Sequence, residues 1–408
     1  MELTKEVSKN NFSGYLWHAG FSALAINFMD IDTVIPAMLL KAGGSAIHLG
    51  LMTALLMGGA SLMRLVFAGL VSNFPHKKGF LLWGINLRVL SLAGIGILLL
   101  FSAMFAKSMT ILMIFMIMIV FSFSGAFAVI SYMDILGKSI LPERRKKFFS
   151  IRYAINGVLY FLSAVAVKKL ITLYNFPVNY SILFFIAGGL LLISSGGFWI
   201  IKEPETVIKK KKSFSEFLKM IPSEIKKNKN LLNYLAIINT IGLGLGLMPF
   251  LVLLAKENYG LTREMIGSFL LFKTVGIVPT GLILLKLSKK FRYKTTLIIS
   301  LVIGALLPVI ALLLGNFPGY FKYLFIFSGI FVTTFRISVE GLLIEISTNE
   351  NRATYTGISG SGRILPTLFP LFAGVLISLW GYTVVFSMVS LFILMGLIFV
   401  LRMDVNEN

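Results

Sequence analysis

Long apolar runs separated by short basic connections organise this 408-residue chain. Five stretches contain no Asp, Glu, Lys or Arg at all: Ser108–Met133, Leu170–Ile201, Asn230–Ala255, Thr295–Phe321 and Ile364–Leu401. A helix crosses the hydrocarbon core of a bilayer with about 20 apolar residues, so each stretch predicts at least one span. Extending the same reading along the whole chain predicts twelve. Six lie near 14–40, 48–72, 79–105, 108–136, 148–173 and 178–201. The other six lie near 230–255, 265–285, 295–314, 321–346, 355–379 and 382–401, the last two parted only by Trp380 and Gly381. The expected fold class is therefore an all-α polytopic membrane protein.

A polar segment divides the pattern, giving a bundle over 1–202, a linker over 203–229 and a second bundle over 230–408. Within the linker, Ser213 and Glu216 have capping-box spacing. Phe214, Phe217, Leu218, Ile221 and Ile225 fall on one face of the short helix that follows. Such a helix lies along a membrane surface with its lysines toward lipid phosphates. Pro222 is expected to break it into two pieces.

Charge orients the spans. If the N-terminus is inside, 25 of the 38 Lys and Arg fall on inner segments, 7 on outer loops and 6 within spans. Basic connections mark the cytoplasmic side, so both termini are expected in the cytoplasm of an inner or plasma membrane. The net charge of +21 thus has a topogenic origin. It does not indicate nucleic acid, whose binders gather base on one folded face. Hydrophobic residues at 57% and charged ones at 13% depart in the same direction from the globular average of roughly 45–50% and 25%. The chain has no cysteine and only His18, His48 and His76, so no metal centre is expected. The first ten residues are polar and the first apolar run holds Asp30 and Asp32, unlike a cleavable signal peptide.

Ionisable groups inside apolar spans are functional candidates, because each costs roughly 2.5–3.5 kcal/mol at mid-bilayer unless paired or hydrated. They are Asp30 and Asp32 in the first span, Arg64 in the second, Lys273 in the eighth, Arg336 and Glu340 in the tenth and Arg363 in the eleventh. Asp30 and Asp32, two apart, would point to different faces of a helix. Arg336 and Glu340, one turn apart, can pair on one face. Arg88, Asp134 and Arg152 lie closer to the inner face, where snorkelling or loop pairing satisfies them. Asn27, Asn156, Asn239 and Thr240 are candidate cavity liners, or polar links between helices.

The two halves repeat. Arg145-Lys-Lys-Phe148-Phe-Ser-Ile151 before the fifth span matches Arg352-Ala-Thr-Tyr355-Thr-Gly-Ile358 before the eleventh, 207 residues on. Ile35-Pro36 in the first span matches Met248-Pro249 in the seventh, 213 residues on. A parallel repeat of this kind is found in transporters that rock two bundles about a midplane site.

Together with the loop Gly69-Leu-Val-Ser-Asn73-Phe74-Pro-His76-Lys77-Lys78, this organisation resembles the major facilitator superfamily over essentially the whole chain. The loop is similar to the family signature Gly-x-x-x-Asp-Arg-x-Gly-Arg-Lys, with Asn73 at the usual acid, Phe74 at the usual base and His76 at the second glycine. The segment from Asp134 through Leu141-Pro142-Glu143-Arg144-Arg145 to Arg152 resembles the family's fourth-to-fifth connection. The resemblance implies two six-helix bundles related by a pseudo-two-fold axis. It also implies a conformational switch at Gly69, Asn73, Lys77, Lys78, Asp134, Arg145 and Arg152.

No nucleotide-binding motif, metal cluster or nucleophile elbow is present, so no enzyme and no cofactor is expected. The leading expectation is a monomeric secondary transporter that exchanges a small solute by alternating access, coupled to protons or another ion. The leading expectation within that class is proton-driven antiport that exports lipophilic, drug-like compounds, which mid-membrane acids favour and the family resemblance implies. The surplus of Arg336, Arg363 and Lys273 over acids favours a small organic anion instead, unless Asp30 or Asp32 supplies the missing charge. A receptor or scaffold that moves no solute is the remaining class.

Overall fold

The computed structural model describes residues 3–72, 74–205, 214–287, 292–347 and 352–404. All regular structure among the described residues is helical. The helices α1 (Lys5–Phe28), α2 (Val34–Lys41), α3 (Ala46–Ser72), α4 (Lys78–Leu100), α5 (Lys107–Ser139), α6 (Pro142–Leu173) and α7 (Val178–Ile200) come first. The linker helix α8 (Phe214–Lys227) follows. Then come α9 (Lys229–Thr240), α10 (Leu243–Tyr259), α11 (Arg263–Lys286), α12 (Tyr293–Leu313), α13 (Pro318–Phe321), α14 (Leu324–Glu345), α15 (Arg352–Ser361) and α16 (Ile364–Arg402). Among the described residues, nine helical segments are long and apolar enough to cross a membrane. One of them runs from Thr354 to Arg402, 49 residues, which at 1.5 Å per residue is more than twice a bilayer core. It contains Gly381 at φ 77°, a conformation that glycine adopts without strain and that no helix continues through.

Three predicted spans are not continuous helices, which corrects the sequence reading. The first is interrupted between α1 and α2, at 29–33, so Asp30 and Asp32 lie on non-helical backbone rather than on two faces of a helix. Pro36 contributes to the break: its ring crowds the carbonyl four residues earlier, that of Asp32, and it sits in the first turn of α2, where a proline fits best. The eleventh span breaks at Gly362 and Arg363, four and three residues before Pro366, by the same rule. The seventh breaks at Ile241 and Gly242, between α9 and α10. In the linker, α8 runs through Pro222 as one helix, and Ser213, its expected cap, lies outside the described residues.

The chain forms two compact units. One comprises Met1–Asp30, Lys41–Gly43 and Gly59–Phe214. Its α1, α4, α5, α6 and α7 pack around a knot in which the Tyr15 ring meets Tyr132, Phe148 and Phe198 edge-on at 5.5, 5.9 and 5.9 Å. The other comprises Ile31–Leu40, Gly44–Gly58 and Ser215–Asn408, so it includes α2 and the first half of α3. Here α11 and α14 cross with their backbones touching. A Cβ on Gly329 would lie 2.1 Å from the Lys273 carbonyl oxygen, and one on Gly276 would lie 2.1 Å from that of Ile326. Close approach through small residues takes the place of hydrophobic drive between helices surrounded by lipid. Gly329→Leu is expected to lower the thermal midpoint of the purified protein through an overpacking cost of about 1–3 kcal/mol. Phe327→Leu, at an exposed position two residues away on α14, should leave the midpoint unchanged in the same assay.

Candidate functional site

In the first unit an ion-pair network joins three helices. Lys77 Nζ lies 2.6 Å from Asp134 Oδ1. Lys138, one turn along α5, lies 3.2 Å from the other oxygen of Asp134 and 2.7 Å from Glu203 Oε1. Glu203 follows α7, and its carboxylate accepts hydrogen bonds from the backbone N–H groups of Lys77 and Lys78, both at 2.7 Å. These are orphan donors at the start of α4, where the helix dipole also favours an anion. Lys78 returns the favour: its Nζ donates to the carbonyls of Trp199 and Ile201, both at 2.9 Å, capping the C-terminus of α7. Glu203 and Lys138 were not singled out from the sequence. The spacing of Asp134 and Lys138 was a usable signal; the return of the chain at Glu203 was not. Asn73 lies outside the described residues, as do the side chains of Arg64 and Arg145; Gly69 sits near the end of α3.

The first unit also holds basic groups deeper in its helices. The Arg88 guanidinium lies over the Phe121 ring, 4.2 Å from its centroid, and its Nε is buried without a hydrogen-bond partner among the described residues. Arg152 donates to the Tyr132 hydroxyl at 3.4 Å. Asn27 donates to the Tyr160 carbonyl at 2.6 Å and to Ser163 Oγ at 2.9 Å, so it ties α1 to α6 rather than facing open space. Asp30 is buried.

In the second unit the interrupted spans carry the charge. Lys273, midway along α11, places its Nζ 2.5 Å from Asp32 Oδ2 at the break in the first span. Both side chains are largely hidden, at 6% and 15% exposure. Lys273 is thus matched by an acid from the opposite end of the sequence. Arg336 and Glu340 do share a face of α14 and both are exposed, but among the described residues no ion pair joins them. An exposed Arg–Glu face halfway along an apolar helix is tolerable only against water. Arg363 is also exposed, at the break before α16, where its charge reaches the buried Tyr234, whose hydroxyl meets Ser359 Oγ at 2.8 Å. Tyr234 feels the charge of Glu340 as well, so α9, α14 and the break before α16 converge here.

Asn239 holds that break in shape. Its amide nitrogen donates to the Gly362 carbonyl at 2.7 Å, and its amide oxygen accepts from the Leu365 N–H at 2.8 Å. One side chain replaces backbone bonds lost on either side of Arg363. Thr240 instead bonds its own helix at the Ala236 carbonyl. Among the described residues there is no group of three His, Cys, Asp or Glu side chains that could hold a metal.

A multi-pass helical membrane protein with broken helices and charge at mid-span has the construction of a secondary transporter. The family model for the Major Facilitator Superfamily matches residues 20–248 and 232–407, and the chain belongs to that family. Its members are transporters rather than enzymes. The solved nucleoside transporter NupG superposes with a TM-score of 0.67 at 12% identity, covering 97% of this chain and 100% of that one. A POT family transporter in complex with 5-aminolevulinic acid gives 0.71 at 11%, covering 96% and 95%. A bacterial metal transporter gives 0.58 at 15%, covering 98% and 99%. At these identities the likeness is one of fold. No curated protein matches the sequence.

Removing one partner of a buried ion pair strands a charge and costs about 3–5 kcal/mol, whereas removing both spares that cost. Asp32→Asn and Lys273→Gln are each expected to depress the thermal midpoint, and the double variant to recover most of the loss. Additive losses in this cycle would contradict the pairing.

Proposed function

We propose that this protein carries a small organic anion across the cytoplasmic membrane by alternating access, with protons as the coupling ion. The carrying observation is the pair of exposed bases, Arg336 and Arg363, on apolar spans of the second unit with Glu340 as the one acid beside them. A carboxylate or phosphate on the solute gains charge-assisted, bidentate hydrogen bonds from such guanidinium groups. Lys273, the third base of the sequence reading, is neutralised by Asp32 and is assigned to coupling instead.

In this reading the chain has twelve spans in two repeated bundles. The breaks in the first and seventh spans support that repeat: Met29 and Ile241, the first residues past α1 and α9, are 212 apart, close to the 213 that separates Pro36 from Pro249. Broken helices at corresponding places in two halves point to a binding site near the midplane. The basic-residue bias puts both termini and the 203–229 linker in the cytoplasm. Protonation of Asp32 would release Lys273 and allow the interrupted first span to move. The inner-face network of Lys77, Asp134, Lys138 and Glu203 serves as the switch that the family resemblance implied.

Reporter fusions in the linker and after Asn408 should read cytoplasmic, and one near Asn316 external; an external linker would reverse the orientation. For the solute, Arg336→Gln and Arg363→Gln are expected to weaken binding of anionic compounds about tenfold or more while sparing neutral and cationic ones. Loss of every compound class together would contradict the anion reading. Retention of anions with loss of lipophilic cations in Glu340→Gln would favour drug efflux. Asp32→Asn should abolish uphill accumulation driven by a pH gradient but retain solute exchange.

A further inference from the structure

Where α7 ends and α4 begins, the surface of the first unit folds into a shallow groove of about 440 Å³. One wall is the end of α7 with the non-helical residues after it, Trp199 to Glu203, and the other is His76 and Lys78 at the start of α4. The backbone of the groove is held in place. Asn11 of α1 clamps the Lys202 residue, donating to its carbonyl at 2.9 Å and accepting from its N–H at 2.8 Å. Lys78 Nζ ties the Trp199 and Ile201 carbonyls together at 2.9 Å each, which leaves the ammonium one donor to spare.

Positive charge prevails here. Asp134 is answered by Lys77 and Lys138, and Glu203 by Lys138 and two backbone N–H groups. Lys78 and the exposed Lys202 remain, and among the described residues neither forms an ion pair. Glu205 lies 3.7 Å from His76, and water screens both, since each side chain is more than half exposed at 69% and 55%.

The face of α7 that leads to the groove sets the class of ligand. Its exposed residues Phe185, Leu192, Ile193, Trp199 and Ile200 recur at intervals of seven and eight, so they form one apolar stripe that ends at the groove. α7 is one of the segments apolar enough to cross a membrane, and on such a helix an exposed apolar stripe meets acyl chains. A tryptophan beside lysines at the end of the stripe marks the level of the headgroups.

We propose that this groove seats the phosphate of an anionic phospholipid from the leaflet at this end of α7. Lys78 and Lys202 hold the phosphate, and Trp199 and Ile200 lie along the glycerol and the first acyl carbons. Basic pockets between spanning helices hold anionic headgroups in this way. The site depends neither on the solute reading of the second unit nor on the orientation of the chain, because it needs only a lipid at this end of the first unit.

The test is tryptophan fluorescence of the purified full-length protein in detergent. Phosphatidylglycerol and phosphatidylcholine, each brominated near the carboxyl end of its acyl chains, are titrated in, and Trp199→Phe identifies the share of quenching that belongs to Trp199. Phosphatidylglycerol is expected to quench that share at a concentration several-fold lower than phosphatidylcholine. Lys78→Gln and Lys202→Gln should each raise its half-quenching concentration about fivefold. The Lys202 side chain holds no part of the fold, so Lys202→Gln decides the matter if Lys78→Gln does not fold. Lys169→Gln, near the end of α6 and far from the groove, should change nothing. The proposal is overturned if the two lipids quench Trp199 alike, if Lys202→Gln binds as wild type does, or if Lys169→Gln weakens binding equally. It is also overturned if glycerol phosphate, which has the headgroup without acyl chains, displaces the lipid at equal concentration, since the ligand would then be a soluble anion.

Discussion

Charge inside hydrocarbon is the constraint on which this molecule depends. A lone ion at mid-bilayer must be paired, hydrated or matched by a ligand, because the low dielectric around it offers nothing else. The chain treats its charges in three ways along its helices. At the start of α4, the end of α7 and the last turns of α5, Lys77, Lys78, Asp134, Lys138 and Glu203 neutralise one another and cap two helix ends. At the break in the first span, Asp32 and Lys273 form a largely hidden pair. Arg336, Glu340 and Arg363 are left open. In the proposed mechanism the first group fixes helices, the second is broken by one proton, and the third receives the solute.

Backbone polarity imposes a parallel constraint. A helix that stops inside a membrane exposes N–H and C=O groups that lipid cannot satisfy. At the eleventh span the remedy is Asn239, whose amide serves a carbonyl before Arg363 and an N–H after it. The break is therefore a defined structure that presents a charged side chain at a fixed place. The interruption of the first span does the same for Asp32, with Lys273 across from it. Discontinuity and function are linked because only an interrupted helix offers both a bend and side chains directed away from the helical surface.

Much of this was legible in the chain itself. Apolar run length pointed to an all-helical membrane protein, and the partial motif at Gly69–Lys78 with the repeated spans pointed to the family. Two of the helix breaks had a signal in the chain, because Pro36 and Pro366 disfavour a regular helix through Asp32 and Gly362, four residues earlier, although Pro222, Pro249, Pro279, Pro308 and Pro370 sit inside helices. The partners were not. Asp32 and Lys273 lie 241 residues apart, and nothing in a span's hydropathy says which base an acid will meet. Glu203 read as one more linker charge because its role arises only when α7 returns beside the start of α4. Arg336 and Glu340 had the spacing of a pair, yet both are exposed and among the described residues no ion pair joins them.

The claim that the open bases exist for the solute is tested most directly by counterflow with the wild-type protein in proteoliposomes. A panel of small labelled compounds that differ only in charge (carboxylate, amide and amine of one carbon skeleton) should give exchange for the carboxylate alone. Exchange of the amine or amide without competition from the carboxylate would contradict it.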